Sequence, residues 1–179
     1  MTGISNGRLG MMLLVGTETI LFSSFIGAYI ILRAAAVAWP PMGVPHLTLG
    51  LSVFNTAVLL LSSCVLIVSR IRHSGESRNP ELWTPASAGV TACFFLGALF
   101  LAFQAVEFHR LYARGLTLQT GAYGALFYTL ITCHGLHVLG GLVILAIAMQ
   151  KANWAENAEI YWHFVTGVWL VLFSVLYLV

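Results

Sequence analysis

Residues 128–149 read YTLITCHGLHVLGGLVILAIAM. A helix needs about 20 apolar residues to cross the hydrocarbon core of a bilayer, and this run supplies them. Yet two imidazoles, His134 and His137, stand three positions apart within it. An ionisable group at that depth costs at least about 2.5 kcal/mol on the mildest insertion scales, so it marks a function by default. On a wheel of 3.6 residues per turn, Leu130, His134, His137 and Gly141 fall within one arc. The run alone leaves three readings open: metal ligands, proton carriers, or polar contacts between helices.

The rest of the chain has the same character. Of its 179 residues 59% are hydrophobic and 8% charged, with a mean hydropathy of +0.91. An ordinary water-soluble domain carries about a quarter charged residues, so this composition specifies a single integral membrane domain, all-α. Five spans are expected, over Leu9–Leu32, Leu47–Val68, Ala88–Phe108, Ala122–Met149 and Tyr161–Val179, separated by joints such as AWPPMGVPH and RGLTLQTG. The first apolar run has no basic leader or small-residue cleavage site, so it reads as a retained helix. Trp39, Trp154, Tyr161 and Trp162 fall at span ends and are expected in the headgroup layer. Cys64, Cys93 and Cys133 lack CxxC spacing and read as small apolar side chains. A formal charge of +2 carries no nucleic-acid signature.

Orientation follows from the basic residues of the short loops. With the N-terminus cytoplasmic and the C-terminus periplasmic, the inner side holds Arg8, Arg70, Arg72, Arg78 and Lys151, and the outer side Arg33, Arg110 and Arg114. The Ser- and Pro-rich stretch at about 70–87, RHSGESRNPELWTPASAG at its centre, resembles a translated intergenic repeat. It is expected to be an irregular, functionally neutral cytoplasmic loop.

Two intramembrane carboxylates stand out. In the first span Gly16, Ser23 and Gly27 form a small-residue stripe suited to close helix contact. Glu18 lies nearly opposite, beside Met11, Phe25 and Tyr29. It therefore needs a neighbouring helix or a second environment, such as a lipid headgroup, a water-filled recess or another protein surface. Glu107, on a face with Gly97 and Gln104, reads as a carboxylate snorkelling to the outer boundary near His109 and Arg110. The last span carries His163, Thr166, Gly167, Leu170 and Ser174 in one arc, a mixed face expected to pack on protein. Haem ligation needs histidines at matching depths, whereas His134 sits mid-span and His163 near a span start. His-x-x-His also lacks the Glu partners of a carboxylate-bridged site and the His-Glu-x-x-His pattern of zinc proteases. No metal site is expected.

Together, LGMMLLVGTETILFSSFIGAYIILR, LSVFNTAVLLLSSCVLIV, FFLGALFLAFQAVEF, GAYGALFYTLITCHGLHVLGGL and YWHFVTGVWLVLF resemble subunit III of the haem-copper oxygen reductases, the cytochrome c oxidases and their quinol-oxidising relatives. The resemblance covers nearly the whole chain outside the Ser/Pro-rich stretch. It implies a five-helix accessory subunit without cofactors of its own, beside a catalytic subunit I that holds haem and copper, in a bacterial inner membrane with bound phospholipid. Glu18 would be the family's buried glutamate near a lipid cleft or subunit interface, linked to proton uptake. Asn55 (with Thr56), Gln104, Glu107, His134, His137 and His163 would be polar contacts within the bundle. Longer family members have two further helices, and the Asp usual soon after YWHFV is Thr166 here. The alternatives are a partner of a nitric oxide reductase and a small membrane cytochrome b.

Overall fold

The computed structural model describes residues 6–45, 47, 49–75 and 84–178, leaving out the side chains of 72–75 and 84–87. Among these residues the chain is helical without strands, and five helices are long and apolar enough to cross a membrane. They are α1 (Asn6–Ala35), α2 (Leu49–Gly75), α3 (Thr84–Ala113), α4 (Gly121–Gln150) and α5 (Ala155–Phe173). A 3₁₀ turn (Ala152–Trp154) precedes α5 and a π turn (Ser174–Leu178) continues it. Helix enters the stretch expected to be irregular from both sides, through Gly75 and from Thr84; residues 76–83 and Val179 lie outside the described residues.

α2 pairs with α3, α3 with α4 and α4 with α5, while α5 also touches α1 and α2. α1 rests on α4 and α5. Lipid is as apolar as leucine, so helices in a bilayer associate through close packing and polar bonds. α2 has the residues for this on one face: Ser52, Asn55, Thr56, Leu59, Ser62, Ser63 and Leu66 are all buried, at the three- and four-residue spacing of one helix side. The Ser62 hydroxyl donates to its own helix at the Leu59 carbonyl (2.6 Å) and accepts from Trp162 Nε1 of α5 (2.9 Å). Thr56 repeats the arrangement, donating to the Ser52 carbonyl (2.7 Å) and accepting from Trp169 Nε1 (2.9 Å). Ser63 and Thr166 join their hydroxyls at 2.8 Å.

Trp162 is fully buried, against the expectation that it sits in the headgroup layer. Its indole occupies space that Gly97 of α3 and Gly141 of α4 leave open. A Cβ at Gly97 would come within 2.3 Å of the ring, and one at Gly141 within 3.0 Å. Tyr161 is buried too. The packing face of α5 is thus Ala158, Tyr161, Trp162, Val165, Thr166, Trp169 and Leu172. The mixed arc expected to pack lies at its edge: Leu170 is exposed, Gly167 meets open space, and Ser174 bonds back to the Leu170 carbonyl.

α1 also presents a different face from the one its small residues suggest. Met11, Phe22 and Tyr29 are its buried residues, whereas Cβ atoms at Gly16 and Gly27 would meet nothing within 4 Å. Phe22 packs on His137 of α4 and Phe164 of α5, and the glycine stripe faces away from the bundle.

The Trp162 slot generates a pair of expectations. Gly97→Ala drives a methyl into the ring and is expected to destabilise the protein by about 1–3 kcal/mol, the usual cost of overpacking. Gly16→Ala, on the open side, is expected to be neutral or mildly stabilising through helix propensity. Thermal unfolding in mild detergent reads both; equal midpoints for the two variants would refute the slot.

Candidate functional site

The bundle has two polar ends and a polar middle. At one end Arg8 meets Glu156 (3.1 Å) and Arg70 meets Glu159 (2.6 Å), with His163 Nε2 3.8 Å from Glu159 on the same helix. These pairs are partly exposed and link α1 and α2 to the start of α5; pairs of this kind contribute little individually. His163 therefore lies with the ion pairs of its own helix and far along α5 from the level of His134. At the other end Trp39 Nε1 donates to the Tyr29 hydroxyl (2.9 Å), and the rings of Tyr29, Trp39 and Tyr123 meet edge to face at 5.3 and 5.2 Å.

In the middle the two histidines of α4 part company. His137 reaches α1: its Nε2 lies 2.9 Å from Glu18 Oε2, and its Nδ1 2.7 Å from the Cys133 carbonyl. A carbonyl oxygen only accepts, so Nδ1 carries a hydrogen. The contact to Glu18 then requires one proton between the carboxyl and Nε2, on whichever atom holds it. With the proton on the carboxyl both groups are neutral; on the imidazole they form an ion pair. The net charge is zero either way, which removes the heaviest cost of placing two ionisable groups in a membrane. Of the environments open to Glu18 from sequence, the geometry supports the neighbouring helix. The pair still keeps an exposed edge, its side chains 23% and 16% exposed for Glu18 and His137.

His134 is 1% exposed and makes no hydrogen bond among the described residues. Its ring lies 5.2 Å from that of Trp169, tilted by 30°, with Phe100 at 6.1 Å and Phe22 at 6.3 Å in edge-to-face contact. The expected cross-helix hydrogen bond of His134 is therefore replaced by packing among three aromatic rings. Glu107 also departs from expectation. It is 2% exposed and does not snorkel: its Oε1 accepts from Ser52 Oγ at 2.5 Å. One turn along, Asn55 Nδ2 donates to Gln104 Oε1 at 3.2 Å. α2 and α3 are thus sewn together by two side-chain bonds at this end. Asn55, Gln104 and Glu107 stand out in the sequence, whereas Ser52, Ser62 and Ser63 were missed; the signal was their helical spacing on one side of α2.

These residues do not fit a haem or metal. Among the described residues no three His, Cys, Asp or Glu side chains converge. His137 is committed at both nitrogens, His134 is walled in by aromatic carbon, and His163 lies beside Glu159 of its own helix. The arrangement can share a proton between Glu18 and His137 and can fix helices to one another.

The geometry separates the two histidines experimentally. His137→Leu leaves the Glu18 carboxyl without its partner and is expected to destabilise by about 0.6–2 kcal/mol, the range for interhelical hydrogen bonds in membranes. His134→Leu keeps an apolar group of similar volume where no hydrogen bond is lost, with an expected effect below about 1.5 kcal/mol. Thermal midpoints in detergent would reverse the assignment if His134→Leu proved the more damaging.

Comparison with known proteins gives a consistent result. The family model described as cytochrome c oxidase subunit III matches residues 2–179. The cytochrome c oxidase subunit 3 of Synechocystis sp. is 35% identical, over 94% of this chain and 74% of its own. The cytochrome bo(3) ubiquinol oxidase subunit 3 of Pseudomonas aeruginosa is 33% identical, over 97% and 86%. The cytochrome c oxidase subunit 3 of Bacillus subtilis is 34% identical, over 97% and 86%.

Proposed function

The chain belongs to the cytochrome c oxidase subunit III family, and from that premise we propose that it is the accessory subunit of a haem-copper terminal oxidase in aerobic respiration. Membership makes it a multi-pass membrane protein that works in a complex with other oxidase subunits. The reading adds that it packs against subunit I, which holds the haem and copper and couples electron transfer to proton translocation. The observation that carries it is the match along the whole five-helix bundle, in which His134, His137 and His163 are each occupied by packing or pairing.

Within that role the bundle steadies subunit I and supports proton uptake and oxygen or lipid access. Glu18 is the proton-linked group at its lipid-facing edge, held by His137; a bound phospholipid lies against that edge. Asn55, Gln104, Glu107 and Thr56 hold α2 to α3 and α5. The protein sits in a bacterial inner membrane with its N-terminus cytoplasmic and C-terminus periplasmic. The end bearing Arg8 and Arg70 is then the cytoplasmic one. Relatives named for both cytochrome c and ubiquinol oxidation make either donor compatible with the scaffold.

A reduced-minus-oxidised visible spectrum of tagged protein, extracted in mild detergent from cells growing on oxygen, tests this. Haem a or o signals are expected with a larger co-purifying subunit, and are expected to vanish when that subunit is stripped away. A b-type signal remaining with this 19.4 kDa chain, or its isolation without an oxidase, would contradict the proposal.

A further inference from the structure

The Ser52–Glu107 and Asn55–Gln104 bonds leave part of their cluster unsatisfied. Asn55 Oδ1, Gln104 Nε2 and Glu107 Oε2 are buried without a hydrogen-bond partner. So is the Tyr177 hydroxyl, which lies beside the Ser52, Gln104 and Glu107 side chains but outside bonding geometry. Buried polar atoms are nearly always paired, because leaving one unmade costs about 1–3 kcal/mol. The two other buried unpaired atoms among the described residues are the His134 ring nitrogens, walled in by aromatic rings; these four instead gather polar groups of both kinds from α2, α3 and the π turn, and so point to a ligand.

Their chemistry specifies it. Asn55 Oδ1 accepts only and Gln104 Nε2 donates only. With Glu107 ionised, Oε2 accepts and Tyr177 donates, giving two donors and two acceptors. With Glu107 neutral, its carboxyl donates and Tyr177 accepts, and the count is unchanged. Two and two is the complement of a single water molecule, and a buried water typically makes two to four such bonds.

We propose that one internal water is bound among Asn55, Gln104, Glu107 and Tyr177, forming a structural water site that joins α2, α3 and the final turn of the chain. The π turn Ser174–Leu178 is part of the device. Widening the helix by one residue per turn resets the direction of Tyr177. Its ring forms one wall of a recess of about 190 Å³ whose other walls include Tyr29, Arg33, Trp39 and Tyr123. Tyr177 is thus shared between the recess and the buried cluster.

A map of the intact membrane complex at a resolution that shows ordered waters tests the site, and does so whatever electron donor the complex uses. A water peak is expected within hydrogen-bond distance of Glu107 Oε2 and at least two of the other three atoms. Glu107→Gln, which substitutes an amide donor for the acid, is expected to keep the peak. Tyr177→Phe is expected to weaken it, leaving three partners. Glu107→Leu is expected to abolish it, and if that variant does not assemble, the wild-type and Tyr177→Phe maps still decide. The four groups closed directly on one another without intervening density would overturn the proposal. So would a peak present only in sodium, with ion-like oxygen coordination.

Discussion

One indole holds this bundle together. Trp162 enters α2's face through its Nε1, which donates to Ser62, and its ring fills the gap that two glycines leave in α3 and α4. Four of the five helices meet at a single fully buried side chain. In a bilayer this matters more than apolar burial, because lipid offers a leucine the same contact that protein does. Close approach and directed polar bonds are what distinguish one helix arrangement from another. Trp169 repeats the device along α5, with its Nε1 on Thr56 and its ring face on His134. In both places the serine or threonine hydroxyl first donates to its own helix, which turns its lone pair toward the indole.

Once α5 is fixed in this way, the remaining arrangement follows. α4 is held by Gly141 against the Trp162 ring, which sets the rotation of His137 toward α1. Glu18 then meets an imidazole whose other nitrogen is already anchored to the Cys133 carbonyl. A carboxyl and an imidazole sharing one proton form a neutral unit whose internal charge can change without changing its total. α1 adds Met11, Phe22 and Tyr29 to the core, and its glycine-bearing face remains on the outside of the bundle.

Although the last helix begins at Ala155, six residues before the expected Tyr161, the number of spans and the family motifs were legible in the sequence because hydropathy and unusual polar residues mark them directly. Which face meets protein was not. A helical wheel shows that Gly16, Ser23 and Gly27 share a side, but in a bilayer small residues facing lipid and small residues facing a helix look alike. α1 docks through Phe22 and Tyr29 instead. Trp162 was expected in the headgroup layer because the last span was taken to begin at Tyr161; the glycines of two other helices show the slot that holds it. Glu107 read as snorkelling because Arg110 is close in sequence; Ser52, far away in sequence, is what accommodates it in the core. His134 was expected to bond across helices as His137 does, yet only three-dimensional proximity shows that its neighbours are Trp169, Phe100 and Phe22, none of which presents it with a partner.

The bond between Trp162 and Ser62 is tested most directly by a double-mutant cycle on Ser62→Ala and Trp162→Phe, read by thermal stability in detergent. If the indole-to-hydroxyl bond joins α5 to α2, the two single losses sum to more than the double loss. The expected coupling is about 0.6 kcal/mol or more, the average for interhelical hydrogen bonds in membranes. Strictly additive effects would mean that Trp162 is held by shape alone and that its bond to Ser62 does not organise the bundle.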